Sequence, residues 1–370
     1  MEPISTRKLT ISILTFDDFD GLYFTIQAIR LFHPEVAEEI EFLVMDNHPS
    51  SAHGAAVARF TKWIAGQPVR YVPVTDGVGS VLKYRAFDLA ATPYVLGLDS
   101  HVLLAPGALR KLIDFFEAGR DGGNLLQGPL QYDDLRHQST HFDPVWRSQM
   151  LGIWASAWRC GCGGMFSTRR EETPPPHGTL ACHSLKTGER ITRCQCERVL
   201  PSIAWCGHEK HLEAAGFAPA LTSEGPFEIP AQGMGVFACR RDAWVGFNPR
   251  FSGFGGEECY IHEKFRQAGK STLCLPFLRW VHRFERPAGV PYRLQTEDRV
   301  RNYLIGHAEL RLDPAPVLEH FANALPRERL DVLQKEAAPS PEEGAVAVAS
   351  STLPFWIGSE IAGPAAGVVG

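Results

Sequence analysis

The sequence YVLGLDSHVLL, residues 94–104, is an apolar run that is interrupted once, by Asp99, Ser100 and His101. Apolar residues without polar alternation predict a strand that is buried on both faces. A carboxylate and an imidazole at the end of such a strand are costly to desolvate unless they bind something. Asp99 and His101 are two residues apart, so both could reach one divalent cation. Alternatively, Asp99 caps a turn and His101 packs as an ordinary loop histidine.

The hundred residues around this run alternate between strand-like and helix-like segments. The strand-like segments are 9–14, 39–47, 69–74 and 94–99, and the helix-like segments are 21–32, 55–66 and 80–91. This alternation predicts an α/β, Rossmann-like fold with a mostly parallel central sheet and helices on both faces. Ligands of such sheets bind outside the carboxyl ends of the strands. Asp17, Asp46 and Asp99 each follow a strand and should share that edge.

Composition limits the class of protein. The chain has 370 residues, of which 44% are hydrophobic and 21% charged, and its formal net charge is −5. These values are typical of a soluble globular protein and argue against binding of nucleic acid through bulk charge. We find neither the long apolar segment of a signal peptide nor the roughly 18 uninterrupted apolar residues of a membrane span. The sequence therefore predicts a cytoplasmic protein without a membrane partner.

A second candidate site lies in FSGFGGEECYIHEKFRQAGK, residues 251–270. Gly255 and Gly256 would permit close approach of the backbone to a ligand. Glu257 and Glu258 follow in the first turn of a predicted helix, where acids can simply stabilise the helix dipole. The functional alternative is that the two carboxylates bind sugar hydroxyls or act as a base.

A third candidate is His282, which ends the apolar segment of LRWVHRFERPAGVPY, residues 278–292. Taken alone it could be an ordinary strand-end histidine. Arg283 and Arg286 follow it, and arginines suit the binding of phosphate. A histidine for a metal and arginines for phosphate would form one consistent set.

The segment from about 120 to 160 has no clear periodicity, and we interpret it as an aromatic-rich loop. Trp146, Trp154 and Trp158 in it could stack on a sugar, a peptide or an unpaired base. After Asp313 the pattern predicts one helix to about Ala338. The remainder, rich in Pro, Ala and Gly, is predicted to be a flexible tail.

Together these segments resemble the GT-A-fold glycosyltransferases, and most of all the catalytic domain of the polypeptide N-acetylgalactosaminyltransferases, which are family-2-like enzymes. LDSH (98–101) is identical to the metal motif of that family, and LKYRAFDLAATPYVLGLDSH (82–101) aligns with its arginine-containing helix. MGVFACRRDAW (234–244) is similar to its Gly-Gly-Leu-Phe stretch, and FGGEE (254–258) to its Trp-Gly-Gly-Glu-Asn motif. WVHRFER (280–286) and PYRLQTEDRVRNYLIGHAEL (291–310) follow in the family's order. The similarity spans roughly 9–312.

The resemblance implies roles for individual residues. The metal, Mn²⁺ or Mg²⁺, would be held by Asp99, His101 and His282. The nucleotide-diphospho-sugar, most simply a UDP-sugar, would be bound by Thr15, Asp17, Asp46, Arg85, Asp99, Gly255, Gly256 and Arg283. Glu257 would hold a donor-sugar hydroxyl, and catalysis would involve Glu257, Glu258 and Arg85. Glu258 stands where the family has an amide, so it adds a carboxylate beside the sugar. The membrane anchor and lectin domain of the family have no counterpart here.

A Cys/His-rich stretch does not belong to that resemblance. Six of the nine cysteines lie between Cys160 and Cys206. Grouped thiols in a cytoplasmic chain predict structural Zn²⁺, although scattered buried thiols are the alternative. For a single ion we predict the two CxC pairs, Cys160, Cys162, Cys194 and Cys196. The further candidates, which could make a second site, are Cys182, His183, Cys206 and His208.

These observations predict four segments: a nucleotide-sugar-binding half (1–158), a probable zinc insertion (159–211), an acceptor and catalytic half (212–312), and a C-terminal helix with a tail (313–370). The predicted function is metal-dependent transfer of a sugar from a UDP-sugar to an acceptor hydroxyl, with retention of configuration favoured over inversion with Glu258 as base. The acceptor could be a modified DNA base, a protein or a glycan. The alternative is a degenerate GT-A domain that serves as a zinc-stabilised module binding nucleic acid or protein.

Overall fold

A computed structural model describes residues 7–338, except 65, 67, 172–178, 186, 201–202, 205–207, 223–224, 285–288, 290 and 293. The predicted C-terminal tail and Arg286 lie outside these residues. The strands are β1 (Leu9–Thr15), β2 (Ile40–Asp46), β3 (Val69–Pro73), β4 (Tyr94–Asp99), β5 (Val102–Leu104), β6 (Leu125–Gln127), β7 (Leu130–Gln131), β8 (Gln138–Ser139), β9 (His141–Arg147), β10 (Met150–Arg159), β11 (Met165–Glu171), β12 (Thr179–Ser184), β13 (Ile203–Ala204), β14 (Ala218–Pro219), β15 (Phe227–Glu228), β16 (Val236–Arg240), β17 (Thr272–Cys274) and β18 (Trp280–His282).

The helices in the described part of the chain alternate with the strands at first and cluster near the end. They are α1 (Phe19–Phe32), α2 (Ala52–Trp63), α3 (Arg85–Leu89), α4 (Ala108–Glu117), α5 (His208–Ala214), α6 (Glu257–Gln267), α7 (Thr296–Glu309), α8 (Ala315–Phe321) and α9 (Arg327–Ala337). Short 3₁₀ segments lie at Pro34–Val36, Ser80–Tyr84, Ala220–Thr222 and Arg241–Ala243. None of the described helices is long and apolar enough to cross a bilayer.

The central sheet has eight strands in the order β15-β17-β6-β16-β4-β1-β2-β3. The pairings of β4 with β1, β1 with β2, and β2 with β3 are parallel, as predicted. Beyond β4 the sheet becomes mixed, because β16 runs antiparallel to both β4 and β6. The carboxyl ends of β1, β2 and β4 therefore share one edge.

Both faces of this sheet are buried, which explains why its strands are continuous apolar runs. In β2, Phe42 and Val44 pack into one core cluster with α1, α2 and α4. Leu43 and Met45 point to the opposite cluster, which includes residues of α6, α7, α8 and α9.

The prediction of an aromatic-rich loop from about 120 to 160 is wrong, because this segment contains strands β6 to β10. β9 and β10 form a long hairpin in a six-stranded sheet with β11, β12, β13 and β14. The pairing register shifts between Leu151 and Ile153, and Gly152 between them has a positive φ of 127°. This bulge changes which side chains face each side of the strand, so the alternation that would have identified it is lost.

Two further helix predictions need correction. The segment 80–91 begins as a 3₁₀ helix and becomes α-helical only from Arg85 to Leu89. The sequence predicted one C-terminal helix, whereas the structure has two, α8 and α9, and Pro326 lies between them. Proline lacks an N–H for an internal helical bond, and here it precedes the first residue of α9.

Candidate active site

Asp99, His101 and His282 meet at the edge of the central sheet. Asp99 is the last residue of β4, and His101 lies in the short turn before β5. His282 is the last residue of β18, which pairs antiparallel with β5 so that His282 lies opposite Val102. This pairing brings together two histidines that are 181 positions apart in the chain.

The ligand atoms of these three side chains all lie within 4.8 Å of one another, and two of their separations are close to those of neighbouring ligands of an octahedral ion. The Nε2 atoms of His101 and His282 are 3.1 Å apart, and Nε2 of His282 is 3.4 Å from Oδ2 of Asp99. Neighbouring ligands of an octahedral divalent ion with bonds of about 2.1 Å are separated by about 3 Å. The donor set, one oxygen and two nitrogens, suits Mn²⁺ and related ions. The residues therefore fit such an ion, and one face of it would remain open.

Asp18, which the sequence analysis did not select, fixes the orientation of His101. Its Oδ2 lies 2.6 Å from Nδ1 of His101 and accepts a hydrogen bond from the Ser100 hydroxyl at 2.7 Å. When Nδ1 of His101 donates its hydrogen to this carboxylate, the lone pair of Nε2 faces His282. A carboxylate behind a ligating histidine is a common support of metal sites.

Lys83 is a second residue that the sequence analysis missed. Its side chain is buried, and Nζ lies 2.6 Å from Oδ1 of Asp99 and donates to the carbonyl oxygen of Met234 at 2.8 Å. Burial alone would raise the pKa of Asp99, but Lys83 and the two histidines outweigh it and hold that pKa well below its usual range. Burial would also lower the pKa of Lys83, and the charge of Asp99 outweighs it. Both groups are therefore ionised near neutral pH.

The Gly-Gly-Glu segment begins α6 close to this group. Gly255 and Gly256 have φ of 88° and 91°, a region that favours glycine. Glu257 is buried, and its Oε1 accepts a hydrogen bond from the Ser80 hydroxyl. Its Oε2 has no hydrogen-bond partner among the described residues. A buried carboxylate oxygen without a partner is available to a ligand hydroxyl.

Glu258, the next residue of α6, has a carboxyl group with a raised pKa. Burial, together with the charge of Glu257, raises the pKa of Glu258 to about 8. Glu258 is therefore mostly neutral at pH 7. The extra negative charge that the sequence suggested beside the sugar is largely absent at that pH, because a neutral carboxyl resembles the amide of the related motif.

The predicted nucleotide-binding residues lie at the ends of β1 and β2. Thr15 is buried, and its hydroxyl has no hydrogen-bond partner among the described residues. Asp46 is already engaged, because it accepts hydrogen bonds from the Tyr71 hydroxyl and the backbone N–H of His48, each at 2.9 Å. Asp17 pairs with His48 Nδ1 at 2.8 Å, and Phe16 stacks on the His48 ring.

The two predicted arginines differ in their surroundings. Arg85 donates to both carboxylate oxygens of Asp76, at 2.7 and 2.5 Å, and lies on the partly exposed first turn of α3. The backbone N–H of Arg283 donates to the carbonyl oxygen of His101 at 3.2 Å, so this residue follows the metal-ligand candidates closely.

The three tryptophans mostly serve packing. Trp158 is only 3% exposed, and its indole N–H donates to Thr168 at 3.0 Å. Trp154 packs against Phe142 with ring centroids 4.3 Å apart, and Trp146 stacks on His320 at 4.4 Å. Trp158 is thus excluded as an exposed stacking platform.

The two CxC pairs form a second cluster of metal-ligand type. The four sulfur atoms of Cys160, Cys162, Cys194 and Cys196 all lie within 4.8 Å of one another. Three of the separations are 3.5, 3.5 and 2.9 Å. A tetrahedral Zn²⁺ with Zn–S bonds of about 2.3 Å would separate them by about 3.8 Å. The cluster is therefore compatible with a zinc-binding insertion.

The two pairs sit in backbone turns of the same form. The N–H of Cys160 donates to the carbonyl of Gly164, and the N–H of Gly163 donates to the carbonyl of Cys160. In the second turn, the N–H of Cys194 donates to the carbonyl of Arg198, and the N–H of Glu197 donates to the carbonyl of Cys194. Gly163 and Glu197, which occupy equivalent positions, both have a positive φ, 86° and 62°. Two matching turns that aim four thiols at one point are typical of a structural metal site.

Of the further zinc candidates, Cys182 and His183 do not join this group. Cys182 and His183 are buried in β12, and Cys182 packs in an apolar cluster with Trp158, Phe166 and Phe217. Burial raises the pKa of the Cys182 thiol to about 12. Cys206 and the side chain of His208 lie outside the described residues.

Comparison with known families identifies the first part of the chain. Residues 10–173 match the model of Glycosyl transferase family 2. This part of the chain is similar to that family. The matched residues include Asp99 and His101, whereas Glu257 and His282 lie beyond them. No curated protein matches the chain at a significant level.

One solved structure, that of GalNAc-T7, shows the GT-A fold of this chain. The crystal structure of GalNAc-T7 with UDP, GalNAc and Mn²⁺ is similar with a TM-score of 0.50 and 13% sequence identity, covering 90% of this chain and 54% of that one. Looser similarity, with TM-scores of 0.43 and 0.42, is found to the mannosyltransferase PcManGT from Pyrobaculum calidifontis (13% identity, 90% of this chain and 81% of that chain) and to S. aureus TarS 1-349 (12% identity, 88% and 83%). The fold is thus GT-A. The chain spans about half the length of GalNAc-T7.

Proposed function

We propose that the chain is a metal-dependent glycosyltransferase that moves a sugar from a UDP-sugar, or another nucleotide-diphospho-sugar, to an acceptor hydroxyl. The observation that carries this proposal is the convergence of Asp99, His101 and His282 at the edge of a sheet whose first strands are similar to Glycosyl transferase family 2. A divalent ion held there would neutralise the charge that develops on the departing diphosphate. The structure of GalNAc-T7 was determined with Mn²⁺ and UDP, which supports the choice of ligand.

The chain's own residues would bind and orient the donor. The open face beyond Asp99, His101 and His282 would receive the diphosphate, and Arg283 follows directly in the chain. The free Oε2 of Glu257 would accept a hydrogen bond from a hydroxyl of the donor sugar. Thr15 and Asp17 would line the base pocket. Asp46 would support that pocket through Tyr71 and His48.

We propose that transfer retains the anomeric configuration. An inverting reaction needs a carboxylate that accepts the acceptor proton, and Glu258 was the candidate. With a pKa of about 8, Glu258 carries a proton at pH 7 and is a poor base there. In a retaining reaction the acceptor hydroxyl attacks from the side of the departing diphosphate. Its proton passes to a phosphate oxygen of the leaving group.

Hydrolysis of nucleotide-sugars tests this proposal without knowledge of the acceptor. Purified protein with Mn²⁺ would be assayed for UDP release from a panel of UDP-sugars and for GDP release from GDP-mannose. Asp99→Asn should lower the rate by about a thousandfold or more, because the ion loses its charged ligand. Asp114→Asn, on the exposed side of α4, is the matched control and should leave the rate unchanged. Equal turnover by Asp99→Asn and Asp114→Asn would remove the proposed mechanism.

We further propose that Cys160, Cys162, Cys194 and Cys196 hold one structural Zn²⁺. These thiols join the turn after β10 to the turn around Cys194. An apolar cluster that includes Trp158, Phe166, Leu200 and Phe217 packs beside them. The ion would stabilise the packing of this cluster, as it does in other small metal-binding modules that have a small hydrophobic core.

Elemental analysis tests the zinc proposal. The purified chain should contain about one zinc per molecule, and Cys194→Ser should lose it while donor binding persists. Cys182→Ala is the matched control, since it removes a buried thiol outside the group and should retain zinc. A zinc-free wild type, or zinc loss in Cys182→Ala alone, would contradict the assignment.

A further inference from the structure

The two carboxylate oxygens of Asp99 have different neighbours. Oδ1 is 2.6 Å from the Lys83 ammonium, and Oδ2 is 3.4 Å from Nε2 of His282. Lys83 therefore contacts a different oxygen of Asp99 from the one that lies near His282. Its own position is fixed, because Nζ also donates to the Met234 carbonyl and the side chain is buried.

Lys83 also acts electrostatically on the glutamates of α6. Glu257 and Glu258 both interact with its charge, and the interaction favours the ammonium form. One buried cation thus lies among three carboxyl groups, those of Asp99, Glu257 and Glu258. Removal of that cation would leave the cleft more negative.

We propose that Lys83 is a positioning residue that confines the divalent ion to Oδ2 of Asp99 and restrains its affinity. The inference rests on the proposed metal-dependent function. With Oδ1 engaged by the ammonium, Asp99 offers one oxygen instead of two. The ammonium also repels a divalent ion that shares the same carboxylate. Lys83 would therefore lower the affinity of the site for the ion and hold the Asp99 carboxylate in one orientation toward it.

Loss of the Lys83 charge is expected to strengthen the binding of Mn²⁺ rather than weaken it. Lys83→Met should bind Mn²⁺ more tightly than the wild type, on the order of tenfold, because a repulsive charge is removed and Oδ1 becomes available. The same variant should hydrolyse UDP-sugars more slowly, since the ion is no longer held in one position. Lys83→Arg keeps the charge and should remain near the wild type in Mn²⁺ affinity. A residue with a merely structural role would give weaker Mn²⁺ binding when replaced.

The experiment is a titration of Mn²⁺ followed by electron paramagnetic resonance, with thermal unfolding measured on the same samples. Lys111→Met, on the exposed surface of α4, controls for the loss of one positive charge and should leave the dissociation constant unchanged. If Lys83→Met does not fold, Lys83→Gln removes the charge and keeps a donor for the Met234 carbonyl, with the same expected result. Folded Lys83→Met or Lys83→Gln that binds Mn²⁺ no more tightly than the wild type would overturn the inference. A wild type that binds no Mn²⁺ would overturn the proposed function as well.

Discussion

At the scale of single residues, the candidate site is a set of charges that balance one another within a small buried space. Asp99, His101 and His282 could be selected from the sequence because each follows a strand in a recognisable order. Lys83 and Asp18 could not, because their importance depends on contacts with residues 16 and 83 positions away. A lysine between apolar neighbours in a predicted helix, as in VLKY, is the only signal that could have drawn attention to Lys83.

Glu258 gives a test of protonation at this scale. Glu258→Gln should keep hydrolysis of the donor within about threefold at pH 7, because glutamine resembles the neutral carboxyl that the wild type already carries. A rate measured from pH 6 to pH 9 checks this expectation. A loss of a hundredfold or more, together with a wild-type rate that rises through pH 8, would instead make Glu258 the base of an inverting reaction.

The same group predicts the pH dependence of stability. The folded state holds a proton on Glu258 up to about pH 8, whereas the unfolded state releases it near the usual value of 4.5. Between these values the folded state binds more protons, so the free energy of unfolding falls as pH rises. Because Glu258 is not fully shielded from solvent, we expect the free energy of unfolding to fall by on the order of 1–2 kcal/mol over this pH window. The free energy of unfolding of Glu258→Gln, measured with urea, should depend less on pH than that of the wild type.

At the scale of elements, the loop after β3 and the loop before α6 are built against each other. The N–H of Gly253 donates to the Val78 carbonyl at 2.8 Å, and Gly79 donates to Asn47 Oδ1 at 3.0 Å. A Cβ on Gly79 would lie 1.7 Å from the Gly253 carbonyl oxygen. The close approach of these loops places Ser80 beside Glu257.

Gly79→Ala should therefore separate the loops and damage the donor site. We expect a loss of unfolding free energy of at least about 2 kcal/mol beyond that of the control, with weaker UDP binding. Gly119→Ala is matched, because Gly119 also has a positive φ, 65°, but open space around its Cβ position, and should cost only about 1 kcal/mol. Equal losses in the two variants, measured by urea unfolding, would show that the contact with Gly253 is unimportant.

Prediction of elements from the sequence succeeded where strands are apolar throughout and failed where they are interrupted. The limits of β1, β2, β3 and β4 agree with prediction to within a residue or two. The β9–β10 hairpin was missed because Gly152 produces a bulge and Pro144 interrupts β9. The turn from α8 to α9 was missed because apolar spacing continues across Pro326.

At the scale of the whole molecule, strand β10 runs from a contact with α7 to the cysteine cluster. Near its start, the N–H of Leu151 donates to the Tyr303 hydroxyl of α7 at 2.8 Å. Its end leads directly into Cys160. The sequence predicted the GT-A fold and the separate cysteine group. It could not show that the cysteine-bearing strands belong to one six-stranded sheet with the β9–β10 hairpin, because that pairing depends on contacts between distant segments.

The central claim, that Asp99, His101 and His282 hold a divalent ion which binds a nucleotide diphosphate, concerns the whole molecule as an enzyme. The most direct measurement is calorimetric titration of UDP into the protein without added Mn²⁺ and again with Mn²⁺. The protein is prepared without chelators so that any zinc is retained. We predict that Mn²⁺ tightens UDP binding at least about tenfold in the wild type and has no effect in His101→Ala or His282→Ala. Equal UDP affinity with and without Mn²⁺ in the wild type would contradict the account.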